Sequence, residues 1–168
     1  MTISPKLRLG AVAHGRAVVC IQAVAEGEAV FDLTGRIVSA PTMHTLQIAE
    51  GVHLEPDAAS WAMINHSCLP NCVIDIGLRR VVACRAIAPD EELTFNYLTT
   101  EWEMAAPFSC GCGAAHCPGS IRGFRFLNAG QRAAIRSTTA PYLLQLALRH
   151  PGGESEGDIQ VGGPLTTS

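Results

Sequence analysis

The sequence predicts a mainly β domain of the α+β class, and three observations carry this prediction. Short runs of β-branched and apolar residues recur along the first hundred positions, and Gly or Pro turns separate them. Apolar residues at helical spacing begin only after residue 128. Hydrophobic residues make up 48% of the 168 positions, which is enough for one core. We therefore expect one domain in which strands come first and helices last.

Strands are expected wherever such a run lies between two turn signals. In chain order they fall at residues 7–13, 17–23, 29–33, 36–38, 45–48, 52–54, 72–76, 80–86 and 92–97. Glu50-Gly51 and Gly77 each turn the chain between two of these strands, which predicts two hairpins. Cys84 falls in the second hairpin, where we expect it to be buried. Tyr97 ends the last strand, where its hydroxyl can enter a pocket.

Helical signals are confined to a few segments. Residues 58–63 are expected to make one helical turn with Trp61 pointing inward, and residues 131–137 and 141–149 show helical spacing. One face of the last helix carries the apolar residues Tyr142, Leu143, Leu146 and Ala147. We expect this face either to fold back on the core or to pair with a second copy in a homodimer. The Gly-rich stretch 151–168 is expected to be a disordered tail.

Composition excludes several classes of function. A net charge of −3 gives no electrostatic footprint for direct nucleic-acid binding. No apolar run reaches the ~18 residues that a membrane span needs, and the first ten residues lack the apolar core of a signal peptide. We therefore expect an intracellular, by default cytoplasmic, protein without membrane attachment. Its seven cysteines are then free thiols or metal ligands rather than disulfides.

Three cysteines within eight residues predict a metal site. The run C-G-C-G-A-A-H-C places Cys110, Cys112 and Cys117 in one loop, where thiolates can converge on a single ion. A tetrahedral zinc needs a fourth ligand, for which the residues leave open His116, Cys68, Cys72 and His66. Binding through both His116 and its neighbour Cys117 would strain the loop. A cysteine from the stretch I-N-H-S-C-L-P-N-C at residues 64–72 is therefore the more attractive fourth ligand.

The same stretch also admits hydrolase chemistry. Asn65-His66 fits a nucleophile-activating pair, a metal pair or a structural turn. Ser67 lies next to His66, but neighbouring side chains of an extended segment point apart, and a G-x-S-x-G context is missing. A cysteine hydrolase that uses Cys68 or Cys72 with a histidine remains the competing enzyme.

Three motifs together resemble those of SET-domain protein lysine methyltransferases. I-N-H-S-C-L-P-N at residues 64–71 is similar to the family's I-N-H-S-C-x-P-N, and D-E-E-L-T-F-N-Y at 90–97 to its G-E-E-L-T-F-D-Y. The cysteines at 110–117 are similar to the post-SET C-x-C-x4-C. The motifs occur in the family's order, and the likeness covers about residues 5–120.

The resemblance implies a fold and a division of the chain. The fold is a β-clip of small curved sheets, in which the Asn65-His66 stretch and the Tyr97 strand make a pseudoknot-like crossing. The implied parts are a SET domain at 5–99, a post-SET zinc-binding loop at 104–120, a C-terminal helical extension at 121–150 and a tail at 151–168.

The resemblance also implies a reaction, in which S-adenosylmethionine binds on one side and a lysine enters by a channel from the other. Its cofactor-binding residues are then Gly15, Arg16, Ala17, Met63, Asn65, His66 and Tyr97. Tyr97 is the implied catalytic residue, and Phe95 stands where Phe leaves room for di- and trimethylation. The implied zinc ligands are Cys68, Cys110, Cys112 and Cys117.

We therefore expect a methyltransferase acting on a lysine side chain of a protein or peptide. Two other functions stay open: a SET fold redirected to a small-molecule substrate, and a non-catalytic module that binds the cofactor or a partner. The chain departs from the family at Ala17 for glycine, Leu33 for tyrosine, Ala62-Met63 for Arg-Phe and Asn96 for aspartate. The segment between Gly35 and Asn65 is too short for the helical insert found in many members, so the substrate is not carried over.

Overall fold

The β-branched runs form strands, and the computed structural model is mainly β over the residues it describes, 4–12, 15–57 and 61–150. The predicted disordered tail lies outside these residues. The first six strands are β1 (Leu7–Val12), β2 (Gly15–Cys20), β3 (Ala29–Asp32), β4 (Gly35–Val38), β5 (Leu46–Ala49) and β6 (Val52–Pro56). The others are β7 (Asn65–His66), β8 (Cys72–Asp75), β9 (Arg80–Ala83), β10 (Thr94–Phe95), β11 (Phe108–Ser109) and β12 (Ser120–Ile121). Two helices follow, α1 (Ala129–Ile135) and α2 (Pro141–Arg149).

The described strands form five small sheets rather than one large sheet. The antiparallel sheets are β1-β2, β3-β9-β8, β4-β6-β5 and β11-β12, and β7 pairs with β10 in parallel. Both predicted hairpins, β5-β6 and β8-β9, are confirmed. The α+β prediction is also confirmed.

The chain changes sheet between β3 and β4. Gly35 has a φ of +157°, and a Cβ placed on it would lie 2.1 Å from the carbonyl oxygen of Glu55. Only glycine permits this approach, because any side chain would overlap the neighbouring strand β6. The kink at Gly35 therefore sends β4 into the sheet that carries β5.

Two predictions about strand ends are wrong. β10 stops at Phe95, and Tyr97 begins a 3-10 helix instead of ending a strand. The Asn96 side chain accepts a hydrogen bond from the backbone N–H two residues further on, at 3.1 Å, which caps that helix and ends strand pairing. Cys84 is exposed rather than buried, because β9 ends at Ala83 and the chain turns away from the sheet.

The apolar face of α2 folds back on its own chain. Leu143 and Leu146 are buried in a cluster that also contains Leu98, Ile121, Phe124, Leu127 and Ala140. These residues are therefore not available to a second subunit, and the homodimer stays a prediction. No helix within the described residues has the length and apolar character to cross a membrane.

The C-terminal segment is also attached by main-chain hydrogen bonds to the chain that follows Tyr97. The Phe124 N–H donates to the Glu101 carbonyl at 2.8 Å, and the Arg125 N–H donates to the Trp102 carbonyl at 3.1 Å. Gly123, with a φ of +123°, makes this possible, since a Cβ there would lie 2.5 Å from the Trp102 oxygen. The 121–150 segment thus holds residues 101–102 in place beside the site.

Candidate active site and metal centre

Parallel pairing of β7 and β10 brings the two longest motifs together. Asn65 lies opposite Thr94, and His66 lies opposite Phe95. The buried Asn71 side chain strengthens this junction, because its oxygen accepts the Thr94 N–H at 2.8 Å and its amide donates to the Glu92 carbonyl at 2.7 Å. The stretches at residues 64–71 and 90–97 therefore lie side by side, as expected from the sequence.

The Tyr97 hydroxyl points at the main chain that precedes Asn65. It donates to the Ile64 carbonyl at 2.8 Å. Burial raises the pKa of Tyr97 to about 12, and the negative charges of Glu101 and Glu92 add to this effect. The phenol therefore stays protonated near neutral pH, where it is a hydrogen-bond donor rather than a base.

His66 connects the Tyr97 segment to the cysteines. Its Nδ1 accepts the backbone N–H of Tyr97 at 3.2 Å, so the ring proton lies on Nε2, 3.3 Å from the sulfur of Cys68. Burial lowers the pKa of His66 to about 4, so the ring is neutral near pH 7. The hydrogen bond from neutral His66 would fix the orientation of the Cys68 side chain, as outer-shell hydrogen bonds do for metal ligands.

Four cysteine sulfurs converge beside this histidine. The sulfur atoms of Cys68, Cys110, Cys112 and Cys117 all lie within 4.8 Å of one another, and those of Cys68 and Cys110 are 4.0 Å apart. Thiolates around a tetrahedral zinc, with Zn–S near 2.3 Å, lie about 3.8 Å apart. Burial, followed by hydrogen bonds with Cys117 and Cys112, raises the pKa of Cys68, so a cation is needed to stabilise four thiolates here. The cluster is therefore compatible with zinc.

None of the other three candidates for the fourth ligand is among the described residues whose ligand atoms converge, although Nε2 of His66 lies 3.3 Å from the Cys68 sulfur. Cys72 is fully buried in β8. His116 is not among the residues whose ligand atoms converge. The cysteine of the central stretch that joins the loop thiols is thus Cys68.

A cavity of about 830 Å³ opens beside Tyr97, within the range of small-molecule sites. Part of its lining, here named the motif wall, consists of Arg16, Trp61, Ala62, Met63, Ile64, Asn65, His66, Phe95 and Tyr97. The rest of the lining, here named the loop wall, consists of Thr42, Met43, His44, Thr45, Leu46, Glu101, Met104, Ala105, Ala106, Pro107 and Phe108. Most of these side chains are apolar or aromatic, as is usual for a ligand site.

The motif wall contains most of the site residues expected from the sequence: Arg16, Met63, Asn65, His66, Phe95 and Tyr97. Asn65 joins β7 to β2, because its amide donates to the Arg16 carbonyl at 3.0 Å and to the Glu92 carboxylate at 2.7 Å. Gly15 and Ala17 flank Arg16 in β2 but are not among the described lining residues, and Ala17 is fully buried. Leu33 is a core residue and does not line the cavity.

Sequence reasoning missed the important residues of the loop wall. Phe108 makes edge-on ring contacts with His66 and Tyr97, at centroid distances of 5.5 and 6.1 Å. The sequence could have indicated Phe108 as a site residue, because it lies two residues before Cys110. A loop that brings Cys110 to Cys68 must pass the site. Glu101 carries no comparable signal, because nothing in a polar linker marks one carboxylate for burial.

The comparisons with known proteins agree with this geometry. A model of the family described as SET domain matches residues 15–98. The chain belongs to the SET-domain family. The match includes β2, β7 and β10, and it ends just after Tyr97.

Curated relatives include methyltransferases, one of which is named for a histone substrate. Methyltransferase flvH of Aspergillus flavus is 34% identical over 105 residues, which cover 60% of this chain and 58% of flvH. A histone-lysine N-methyltransferase, H3 lysine-36 specific, of Chaetomium globosum is 32% identical over 149 residues. That match covers 75% of this chain and 16% of the relative. The chain thus spans less than two thirds of either protein.

A solved SET structure has the same fold. KRYPTONITE in complex with mCHG DNA and S-adenosylhomocysteine (SAH) superimposes with a TM-score of 0.53 at 27% identity, over 68% of this chain and 28% of KRYPTONITE. A second KRYPTONITE complex, with a TM-score of 0.50 and 28% identity over 68% of this chain and 29% of that one, also contains an H3(1-15) peptide. The mainly β SET fold is therefore confirmed, and this chain is a member of a methyltransferase family.

Proposed function

We propose that this chain transfers a methyl group from S-adenosylmethionine to an amine, and that the amine is a lysine side chain of a protein or peptide. The observation that carries the proposal is the position of Tyr97, whose hydroxyl bonds to the Ile64 carbonyl. Tyr97 lines a cavity whose other residues include the aromatic rings of His66, Phe95 and Phe108. Bound S-adenosylmethionine would supply an electrophilic methyl on a sulfonium, so the protein needs to supply alignment and desolvation rather than a nucleophile.

The motif wall suits the cofactor. Arg16 offers a cation for a carboxylate, and Met63, Asn65 and His66 form one continuous edge of the cavity. We assign Gly15 and Ala17 a supporting role, because they set the path of the strand that presents Arg16. Tyr97 would orient the accepting amine, and Phe95, whose ring centroid lies 4.8 Å from that of Tyr97, would shape the space for its methyl groups.

Zinc fits the four-cysteine cluster, with Cys68, Cys110, Cys112 and Cys117 as ligands. In this proposal the metal is structural, because all four positions are filled by thiolates and none is left for substrate. The metal would hold Phe108, two residues before Cys110, against the cavity. The three parts of the chain are then a SET domain at 5–99, a zinc loop at 104–120 and a helical extension at 121–150.

A second candidate is methylation of a small-molecule amine. One structural observation favours it: residues 42–46, which lead into the short β5-β6 hairpin, line this part of the cavity. DNA appears in the KRYPTONITE complexes, but the net charge of −3 of this chain does not favour direct DNA binding.

Labelled-methyl transfer tests the proposal. Purified protein is incubated with labelled S-adenosylmethionine and either the H3(1-15) peptide, n-butylamine or a cell lysate separated by size. Tyr97→Phe should lower transfer about a hundredfold or more, because it removes the hydroxyl that we propose orients the amine, while SAH affinity changes little. Tyr142→Phe makes the same chemical change outside the cavity and should have a much smaller effect. Equal transfer by Tyr97→Phe and the wild type would remove Tyr97 from the mechanism.

A further inference from the structure

Glu101 is a buried carboxylate in the loop wall. Its residue is 7% exposed, yet it lines the cavity. Among the described residues, no Lys, Arg or His side chain forms an ion pair with it. Burial of an unpaired charge costs several kcal/mol, so a protein keeps such a group where a ligand can supply the missing partner.

The two carboxylate oxygens of Glu101 have different surroundings. Oε1 accepts the backbone N–H of Gln47 at 2.9 Å, and the Thr100 hydroxyl lies 3.4 Å from the same oxygen. Oε2 accepts no hydrogen bond from the described residues, and it is not one of their fully enclosed, unsatisfied polar atoms. One oxygen therefore attaches the side chain to β5, and the other is open to the cavity.

The main chain holds Glu101 rigidly in this position. Its N–H donates to the Tyr97 carbonyl at 2.9 Å, and its own carbonyl accepts the Phe124 N–H at 2.8 Å. The next residue is fixed too, because the Trp102 N–H donates to the side-chain oxygen of Gln47 at 2.9 Å. A charge held by so many bonds on both sides is preorganised for a ligand rather than free to turn away.

Charge is distributed unevenly around the cavity. Among the described lining residues, Arg16 on the motif wall and Glu101 on the loop wall are the two with acidic or basic side chains other than histidine. Burial raises the pKa of Glu101 to about 7, and its charge in turn raises the pKa of Tyr97. Glu101 therefore acts electrostatically at the same place as the Tyr97 hydroxyl.

We propose that Glu101 binds the cationic amino group of the substrate through Oε2, and so selects alkyl amines over neutral molecules of the same shape. The inference deepens the proposed function, since it rests on an amine being the methyl acceptor. A carboxylate beside aromatic rings is a favourable setting for an alkylammonium ion. Because Glu101 is tied to β5 and serves the amine, Arg16 is left to the cofactor in this proposal.

The substitution Glu101→Gln separates this role from a structural one. Glutamine keeps an oxygen that can accept the Gln47 N–H, but it replaces Oε2 with an amide that repels a cation. The matched control is Glu103→Gln, which removes an exposed carboxylate two residues away that pairs with Arg125 and does not line the cavity. Both variants change the net charge equally.

The experiment is an NMR titration of the full chain at pH 8 with n-butylammonium chloride, and in parallel with neutral 1-butanol. Wild-type protein and Glu103→Gln should bind the ammonium saturably and more tightly than the alcohol. Glu101→Gln should bind the ammonium at least about tenfold more weakly and bind the alcohol unchanged. Equal ammonium affinity in Glu101→Gln and the wild type overturns the inference, and so does the absence of saturable binding by the wild type. A selective loss of SAH affinity in Glu101→Gln would also overturn it, because the carboxylate would then serve the cofactor.

The experiment distinguishes failure of this inference from failure of the proposed function. If ammonium binding depends on Glu101 but no acceptor is methylated, the inference holds and the proposed function is wrong. If methyl transfer depends on Tyr97 but ammonium affinity is the same with and without the Glu101 carboxylate, the role of Glu101 is wrong and the proposed function holds. Competition by the H3(1-15) peptide would identify the amine as a lysine in a chain. A free alkyl amine that binds where the peptide does not would identify a small molecule, and either source supports the role of Glu101.

Discussion

The two walls of the cavity are held in different ways. The motif wall rests on main-chain pairing between short segments, with Asn65 opposite Thr94 and His66 opposite Phe95. The loop wall rests on side chains that bond to distant main chain: Glu101 to Gln47, and Tyr142 to Gln47 and Thr100. The motif wall therefore depends on residues of two compact motifs. The loop wall depends on the packing of the C-terminal helix against the rest of the chain.

The family match covers the two walls unequally. The SET model covers residues 15–98, which include the whole motif wall and residues 42–46 of the loop wall, and it ends before Glu101. The wall that we propose binds the cofactor therefore lies wholly within the family match. The 101–108 part of the loop wall lies beyond it, so under the proposed function we expect substrate choice to follow this segment.

Loss of a zinc ligand should have the largest effect, because the proposed metal would join the two walls through one atom. Cys68 follows the motif wall in sequence, and the other three sulfurs follow the loop wall. We expect about one zinc per purified wild-type chain. Cys68→Ser should lose most of this zinc and lower methyl transfer about a hundredfold, because a structural site binds tightly only with all its ligands.

The matched control is Cys84→Ser, which changes an exposed thiol outside the cluster. Metal content by elemental analysis and labelled-methyl transfer should both match the wild type in this variant. Full zinc occupancy in Cys68→Ser would exclude Cys68 as a ligand.

The motif wall could be predicted from the sequence because each of its chemical groups lies in a short recognisable stretch. The convergence of Cys68 with the loop thiols followed only from the resemblance, since the residues alone left His116, Cys72 and His66 open. Glu101 could not be predicted, because its burial results from a hydrogen bond to a residue 54 positions earlier. No local pattern records such a contact.

The fold shows the same division between local and distant causes. Apolar runs and turns predicted the strands, and helical spacing predicted α2, since these are properties of neighbouring residues. The error at Tyr97 arose because the cap formed by Asn96 overrides the apolar pattern of the strand before it. Assignment of β4 to a sheet apart from β3 depends on the close contact of Gly35 with Glu55, which becomes visible only in three dimensions.

The buried charge on the loop wall predicts an effect of pH on stability. The pKa of Glu101 is raised by burial from 4.5 to about 7, so the folded state binds this proton more tightly than the unfolded state. The contribution of Glu101 to the free energy of unfolding is therefore fully present below pH 4.5, and it is lost as the pH rises towards 7. The free energy of unfolding falls by about 3 kcal/mol over this range. Glu101→Gln, which does not titrate, should gain stability relative to the wild type by roughly this amount between pH 5 and pH 8.

The measurement is the free energy of unfolding in urea at pH 5 and at pH 8 for the wild type, Glu101→Gln and Glu103→Gln. Titration of the cysteines and of other groups is common to all three proteins, so the difference between variants isolates Glu101. A difference between wild type and Glu101→Gln that is the same at both pH values would mean that Glu101 titrates normally.

The smallest effect is expected where the C-terminal helix holds the loop wall. The Tyr142 hydroxyl lies 2.7 Å from the Gln47 carbonyl and 2.6 Å from the Thr100 carbonyl, so it joins α2 to both segments that fix Glu101. Tyr142→Phe keeps the ring and removes the one hydroxyl proton that these two carbonyls share, which should lower the free energy of unfolding by about 1–2 kcal/mol. Leu148→Ala, on the exposed side of the same helix, should change it by less than about 0.5 kcal/mol.

Ammonium affinity should fall in Tyr142→Phe while SAH affinity is unchanged, because the Tyr142 contact supports the loop wall and not the motif wall. An equal fall in both affinities would mean that the two walls are not held independently.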